Sequence, residues 1–327
     1  MSLKLISELL CIPRAGLGFL GRQGTRAVAA SAIAGLMLPA FSEILRPWIP
    51  HAIFALVVLA FLRVEPAEVA RRFKRPLLIA VVVAWIMAAV PFAAGLAAHA
   101  FGLEAWSPGL MLALFIVTAA PPVMSAPAFA FLMGLDGALS LAVMISCVLV
   151  VPLSAPFVAG FLLQDALPLE PLMLARNLAG LLVGAMAAAW AIRKLAGPGR
   201  LEAARVEIDG FNVVLLFIFM IAAMDGVVAR IWSDPLLVIA ITALSFAVAG
   251  LQIVLAYLVF ARLGRADAFT VALATGNRNM GLIVAALGGV VPDVTWLYFA
   301  LGQFPIYMLP MILKPVARRM ATGAPAL

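Results

Sequence analysis

Arg278 lies in the run Ala274-Thr275-Gly276-Asn277-Arg278-Asn279-Met280-Gly281, between Phe269-Thr270-Val271-Ala272-Leu273 and Leu282-Ile283-Val284-Ala285-Ala286-Leu287. Nothing else in the chain interrupts apolar sequence so abruptly. A guanidinium presents five N–H donors in a planar fork and no acceptor, so its chemistry is the holding of carboxylate or carbonyl oxygens. Thr275, Asn277 and Asn279 add groups that both donate and accept. All fifteen Asp and Glu fall in loops or near the ends of apolar runs, and only Glu43 and Asp225 could reach the arginine. Two roles follow: Arg278 binds an anionic substrate, or it braces interrupted backbone through carbonyls.

A second interruption reads Ala119-Ala120-Pro121-Pro122-Val123-Met124-Ser125-Ala126-Pro127. Its three prolines remove three amide donors and should free the carbonyls of Val117, Thr118 and Val123. The plainer reading is a proline kink that shapes packing. Gln252, Gln303 and Asn212 are lone polar residues within apolar runs, and Trp85 with Met87 lies in another.

The elements that must position these residues are set by composition. The 327 residues are 66% apolar and 11% charged, with a mean hydropathy of +1.17, against about half apolar and a quarter charged in soluble domains. The net charge of +7 is spread in short clusters between apolar runs, which reads as membrane topology and not as a nucleic-acid surface. Cys11 and Cys147 have no metal-type spacing and read as packing residues. No cofactor or metal motif is present in the sequence. Residues 1–24, with Glu8 and Pro13 interrupting a short apolar stretch, make a poor signal peptide and fit an interfacial segment.

Crossing about 30 Å of hydrocarbon takes roughly 20 helical residues. Ten candidate spans run approximately over 25–46, 50–63, 76–100, 108–133, 136–162, 169–192, 208–229, 235–261, 266–290 and 294–316. With the N-terminus inside, 18 Lys and Arg fall on one side, including Arg63, Arg75, Arg193, Arg262 and Lys314, and three on the other: Arg46, Arg176 and Arg230. That bias predicts cytoplasmic N- and C-termini in a plasma membrane, the bacterial inner membrane. The expected fold is an all-α integral membrane protein of about ten transmembrane helices in two inverted five-helix repeats, 25–163 and 164–320, with a tail at 321–327. Its fourth and ninth helices should be discontinuous, because inverted-repeat transporters place broken helices around a midplane site. Counted from Asp267, Arg278 is eleven residues in, roughly 16–17 Å deep. A guanidinium there costs about 2.5–3.5 kcal/mol on insertion scales and is a functional hypothesis by default.

At these segments the chain resembles the bile acid:sodium symporter family, within the bile/arsenite/riboflavin transporter superfamily that also holds auxin-type carriers. The resemblance covers nearly the whole chain at the level of pattern. It is carried by Phe61-Leu62-Arg63-Val64-Glu65-Pro66, by the Ala120-Pro121 break, and by the turn Gly134-Leu135-Asp136-Gly137-Ala138-Leu139-Ser140. In that turn Asp136 falls on the family's Asp, while Leu135 replaces its Gly. The ninth-span segment is usually close to Glu-Val-Gly-Met-Gln-Asn-Ser-Gly-Leu, and Gly276, Asn279, Gly281 and Leu282 agree with it.

The departures from the family bear on coupling. The resemblance implies sodium ligands at positions that are here Ala274, Arg278, Ala126, Pro127, Met144 and Trp85, and only Ser140 is retained as a residual ion-site candidate. Sodium favours several oxygen ligands, and a guanidinium in the same cavity repels it. Arg278 is therefore expected to stand where sodium would otherwise bind. The cysteine expected of arsenite carriers at the fourth-span break is absent.

The sequence thus predicts a secondary transporter moving a small organic anion by alternating access, with weak or no sodium dependence. The expected substrate-binding residues are Arg278, Asn279, Asn277, Thr275, Ser125 and Met124, and the broken-helix positions are Pro121, Pro122, Pro127, Gly276 and Gly281. The half-helix N-termini beyond the breaks should add partial positive charge. The expected partners are that anion and the lipid bilayer. Alternatives are a sodium-coupled bile acid-type symporter, or a solute sensor or channel on the same scaffold. Membrane enzymes need paired carboxylates, a nucleophile with its base, or metal ligands, and the sequence offers none of these constellations.

Overall fold

The computed structural model describes residues 35–63, 75–163, 170–288 and 291–322. Among these every regular element is helical, and the principal helices are α1 (Pro39–Arg63), α2 (Pro76–Ala100), α3 (Pro108–Ala119), α4 (Ala126–Leu132), α5 (Gly137–Leu162) and α6 (Pro171–Ala196). They continue as α7 (Arg205–Ser233), α8 (Pro235–Val259), α9 (Arg265–Gly276), α10 (Met280–Ala286), α11 (Asp293–Ile312) and α12 (Lys314–Thr322). Proline opens α1, α2, α3, α6 and α8, at the first helical position, where its missing N–H has no partner to lose. Ser107, Asp136 and Asp234 cap α3, α5 and α8 by accepting backbone N–H groups of the first turn.

Among the described residues six helices are long and apolar enough to cross a membrane, or seven if the pair α11 and α12, bent by 45°, forms one span. Their outer faces carry large apolar side chains: Leu172, Leu195 and Leu236 are 81%, 84% and 78% exposed. Apolar surface on that scale is matched to lipid rather than water. The protein is an all-α chain of membrane type.

The expected spans at 76–100, 136–162, 169–192 and 235–261 coincide with α2, α5, α6 and α8 to within a few residues. The fourth and ninth are each in two pieces, α3 with α4 and α9 with α10. The boundary expected near residues 47–49 is displaced. Arg46-Pro47-Trp48 forms one tight turn that carries α1 through, and the chain instead leaves helical geometry at Leu38, with φ −123° and ψ 52°. Pro39 explains this, because a proline disfavours helical backbone in the residue before it. The interfacial segment 1–24, residues 25–34 of the first expected span and tail residues 323–327 lie outside the described residues.

The chain clusters into two compact units that do not follow the sequential halves. One comprises 1–63 with 182–228, the other 64–181 with 229–327. In the first, α1 packs against α7, with Arg46 paired to Asp225 at 2.9 Å at one end and Arg63 to Asp209 at 2.6 Å at the other. Arg193 donates to the Leu62 carbonyl at 2.8 Å, closing the C-terminal end of α1. In the second unit α8 lies along α9, and α3 along α11. Thr295 Oγ1 donates to the Gly109 carbonyl at 2.7 Å, and Arg75 pairs with Asp267 at 2.8 Å. A buried apolar cluster that includes Phe129, Met133, Ile253, Phe269 and Leu273 joins α4, α8 and α9.

Candidate functional site: two broken helices paired at an arginine

The site lies wholly within the second unit. After α3 the backbone is extended at Ala120, with φ −67° and ψ 147°. After α9 it is extended at Asn277, with φ −101° and ψ 95°. The two breaks run antiparallel, with Pro122 opposite Arg278. Val123 N–H donates to the Asn277 carbonyl at 2.9 Å, and Asn279 N–H donates to the Pro121 carbonyl at 2.8 Å. Irregular backbone at membrane depth is tolerated only where protein satisfies it, and here each break satisfies the other.

Arg278 is 0% exposed and stitches this pairing to its surroundings. Its Nε donates to Gln252 Oε1 at 3.0 Å and to the Thr275 carbonyl. Its Nη1 donates to the carbonyls of Ile86 at 3.1 Å and Ala120 at 2.9 Å. One side chain thus ties α2, the end of α3, α8 and α9 together.

Each backbone acceptor is free for a local reason. Thr275 would receive the Asn279 N–H in an unbroken helix, but that N–H goes to Pro121. Ala120 lies just past the last residue of α3. Ile86 lies in a π-turn, Trp85–Ala89, where the Val90 N–H reaches back five residues to Trp85. In that register the next donor would come from residue 91, which is Pro91 and has no N–H.

No carboxylate bonds to Arg278 among the described residues, since its four recorded acceptors are Gln252 and three carbonyls. Asp225, expected within reach, pairs with Arg46 instead. The charge is held by carbonyl and amide dipoles, in bonds that are stronger than neutral ones. Among the described residues no three His, Cys, Asp or Glu come together as a metal site.

The residues expected at the site separate into those that meet there and those that do not. Asn277, Arg278 and Asn279 form the crossing with Pro121 and Pro122. Thr275 contributes its carbonyl, whereas its hydroxyl bonds back to Val271 at 2.8 Å. Met124 and Ser125 are half-buried in the connection to α4. Ser140 is buried in the first turn of α5 and is not a partner of Arg278. Asp136 caps that helix, accepting from Ala138 N–H at 2.8 Å and Leu139 N–H at 3.0 Å.

The expected free carbonyl at Val123 is corrected, while Gly276 and Gly281 flank the second break. Pro127 lies in the first turn of α4 and leaves no free carbonyl at Val123, which accepts the Ala126 N–H at 2.9 Å. Gly281 is the second residue of the seven-residue α10, in its first turn. Gly276 ends α9, but its role is close approach: a β-carbon there would collide with Ile253 and lie 2.8 Å from the Ala249 carbonyl of α8.

Gln252 stood in the sequence only as a lone polar residue, and Ile86 was not visible as a ligand because its carbonyl does the work. The usable signal was Pro91, five residues on. Asn177, whose Nδ2 donates to the Ala286 carbonyl at 2.8 Å and closes α10, was likewise missed. Five buried side-chain atoms have no hydrogen-bond partner among the described residues: Trp85 Nε1, Gln252 Nε2, Asn277 Oδ1, Arg278 Nη2 and Tyr298 Oη. Compared with known proteins, the chain matches no family model and no curated sequence.

Proposed function

We propose that the protein is a secondary transporter that moves a small organic anion across the plasma membrane by alternating access. The observation that carries this reading is the backbone-paired crossing of two broken helices at a buried arginine. Soluble proteins have no need of such an arrangement, whereas a carrier needs polar backbone and charge inside hydrocarbon.

The composition of the two units supports inverted repeats. Taking the halves as 25–163 and 164–320, the second unit draws on the last three expected spans of each half, and the first on α1 from one half and on parts of α6 and α7 from the other. The crossing joins the fourth member of one half to the fourth member of the other. This organisation, together with the segment around Gly276, Asn279, Gly281 and Leu282, supports kinship with the bile acid:sodium symporters.

Sodium coupling is weak or absent in this reading. The carbonyls of Ile86, Ala120 and Thr275 already receive a covalently attached cation, and a second cation beside it would be repelled. The anion is held at Arg278, with Asn279 beside it.

Uptake and counterflow in proteoliposomes, with carboxylates in sodium and in potassium media, test the reading. Saturable counterflow that is equal in the two media is expected. Absence of counterflow for every organic anion would overturn the carrier, and strict sodium dependence would overturn the fixed-cation part.

A further inference from the structure

Arg278 is only partly consumed by its bracing role. A guanidinium donates from Nε and Nη2 along one edge of its fork. On that edge Nε is taken by Gln252 Oε1 and the Thr275 carbonyl, while Nη2 has no partner among the described residues. The amide that receives Nε carries a donor of its own, and Gln252 Nε2 is also buried and unpartnered. The amide cannot simply be turned over, because that would set N–H groups of Gln252 against the Nε–H of Arg278.

Two donors, on side chains that are 0% and 6% exposed and joined by the Arg278 Nε to Gln252 Oε1 bond, therefore have no partner among the described residues. Leaving a buried charged donor unpaired is among the more expensive arrangements in a protein. An oxygen with negative charge answers both donors at once, and Arg278 is the single cation among the residues that form the crossing.

We infer that Gln252 Nε2 and Arg278 Nη2 together form the carboxylate-binding edge of the transporter, selecting singly charged carboxylates. This inference rests on the carrier reading above and adds Gln252 to the site as a substrate-contacting residue. The Nε and Nη1 atoms hold the crossing, and the Nη2 corner with the glutamine amide holds the ligand. A second carboxylate on the ligand meets no second cation there, so dicarboxylates bind less tightly.

Gln252→Glu tests this. The substitution keeps an oxygen facing Arg278 Nε, replaces the donor nitrogen with a second oxygen, and pairs the arginine with a charge. The new carboxylate also neutralises Arg278, so lost affinity supports the inference only when the uncharged Gln252→Met, which lacks Nε2 and leaves Arg278 its charge, shows the same loss; a purely structural glutamine predicts that Gln252→Met still binds. A ligand-contacting glutamine predicts for Gln252→Glu a melting temperature equal to or above that of the parent, with stabilisation by monocarboxylates reduced at least about tenfold in apparent affinity. Melting of the full chain in detergent would be followed with propionate, benzoate, succinate and chloride.

Parent stabilisation by propionate or benzoate that survives unchanged in Gln252→Glu or in Gln252→Met would overturn the inference and leave the carrier standing. Equal stabilisation of the parent by chloride or succinate would overturn the monocarboxylate assignment. No stabilisation by any carboxylate, together with no counterflow, would remove the carrier reading as well. Gln252→Met, which loses the oxygen for Nε, should melt below both the parent and Gln252→Glu, so a fall caused by lost bracing is separable from lost binding.

Discussion

Pro91 follows Ile86 by five residues in a helix that is wound as a π-turn at that point, and the Ile86 carbonyl left without an N–H is the one that Arg278 Nη1 receives at 3.1 Å. A helix irregularity and a proline in α2 are thus coupled to a side chain nearly two hundred positions away in the sequence, within the second break.

The first prediction concerns that coupling. Pro91→Ala supplies an N–H that competes for the Ile86 carbonyl. Replacing a proline inside a helix normally stabilises it, by up to about 3 kcal/mol on propensity alone. Here the gain is opposed by loss of a hydrogen bond to a charged donor, of about 1.5–3 kcal/mol. The expected result is no gain or a fall in melting temperature, and a clear rise would show that Arg278 does not depend on this carbonyl.

Arg278→Gly removes the whole fork and leaves the carbonyls of Ile86, Ala120 and Thr275 without their donor. At about 1–3 kcal/mol for each buried acceptor left unsatisfied, a large loss of thermal stability is expected. Guanidinium chloride at low concentration should restore part of it, the reverse of its usual denaturing effect. Sodium chloride at equal ionic strength should restore much less, because a sphere cannot reproduce a planar set of donors. Melting curves of parent and variant against both salts decide the matter, and equal rescue by the two salts would argue that charge alone holds the crossing.

Gly276→Ala separates close approach from backbone freedom. A β-carbon at Gly276 collides with Ile253 on α8 and lies 2.8 Å from the Ala249 carbonyl, whereas one at Gly250, on the same α8, meets nothing within 4 Å. Overpacking of this kind costs about 1–3 kcal/mol. Gly250→Ala should be neutral or slightly stabilising, since alanine favours helix by about 1 kcal/mol. Both variants are read by thermal melting, and equal behaviour would mean that α8 and α9 are not tightly apposed at Gly276.

The sequence made the spans at 76–100, 136–162, 169–192 and 235–261 legible because a helix in lipid must be long, apolar and flanked by charge, and those are properties of residues read in order. The two breaks were legible for the same reason, as Pro121, Pro122 and the Asn277–Asn279 cluster contradict the pattern around them. What could not be read was the division of labour. Thr275 and Ile86 act through carbonyls, which every residue has, so side-chain chemistry gives no sign of them. Gly276 is in helical backbone and is required by the neighbour opposite, which only packing reveals. Pro47 and Pro39 look alike in sequence, yet one is absorbed in a tight turn and the other marks the break at Leu38.

Sidedness gives the last prediction. The ion pairs Arg63 with Asp209 and Arg75 with Asp267 join residues assigned by charge bias to the inner face, and Arg46 with Asp225 joins residues assigned to the outer face. Each pair therefore agrees with the assignment of its own two helix ends. Single cysteines placed in a background lacking Cys11 and Cys147 measure orientation directly. Gly199→Cys, in the exposed connection between α6 and α7, should react with a membrane-impermeant maleimide only from the cytoplasmic side. Trp106→Cys, 78% exposed between α2 and α3, should react from outside in intact cells. The reverse pattern would invert the topology while leaving the crossing at Arg278 intact, and labelling of both positions from one side would remove the odd number of spans between them on which the inverted repeat depends.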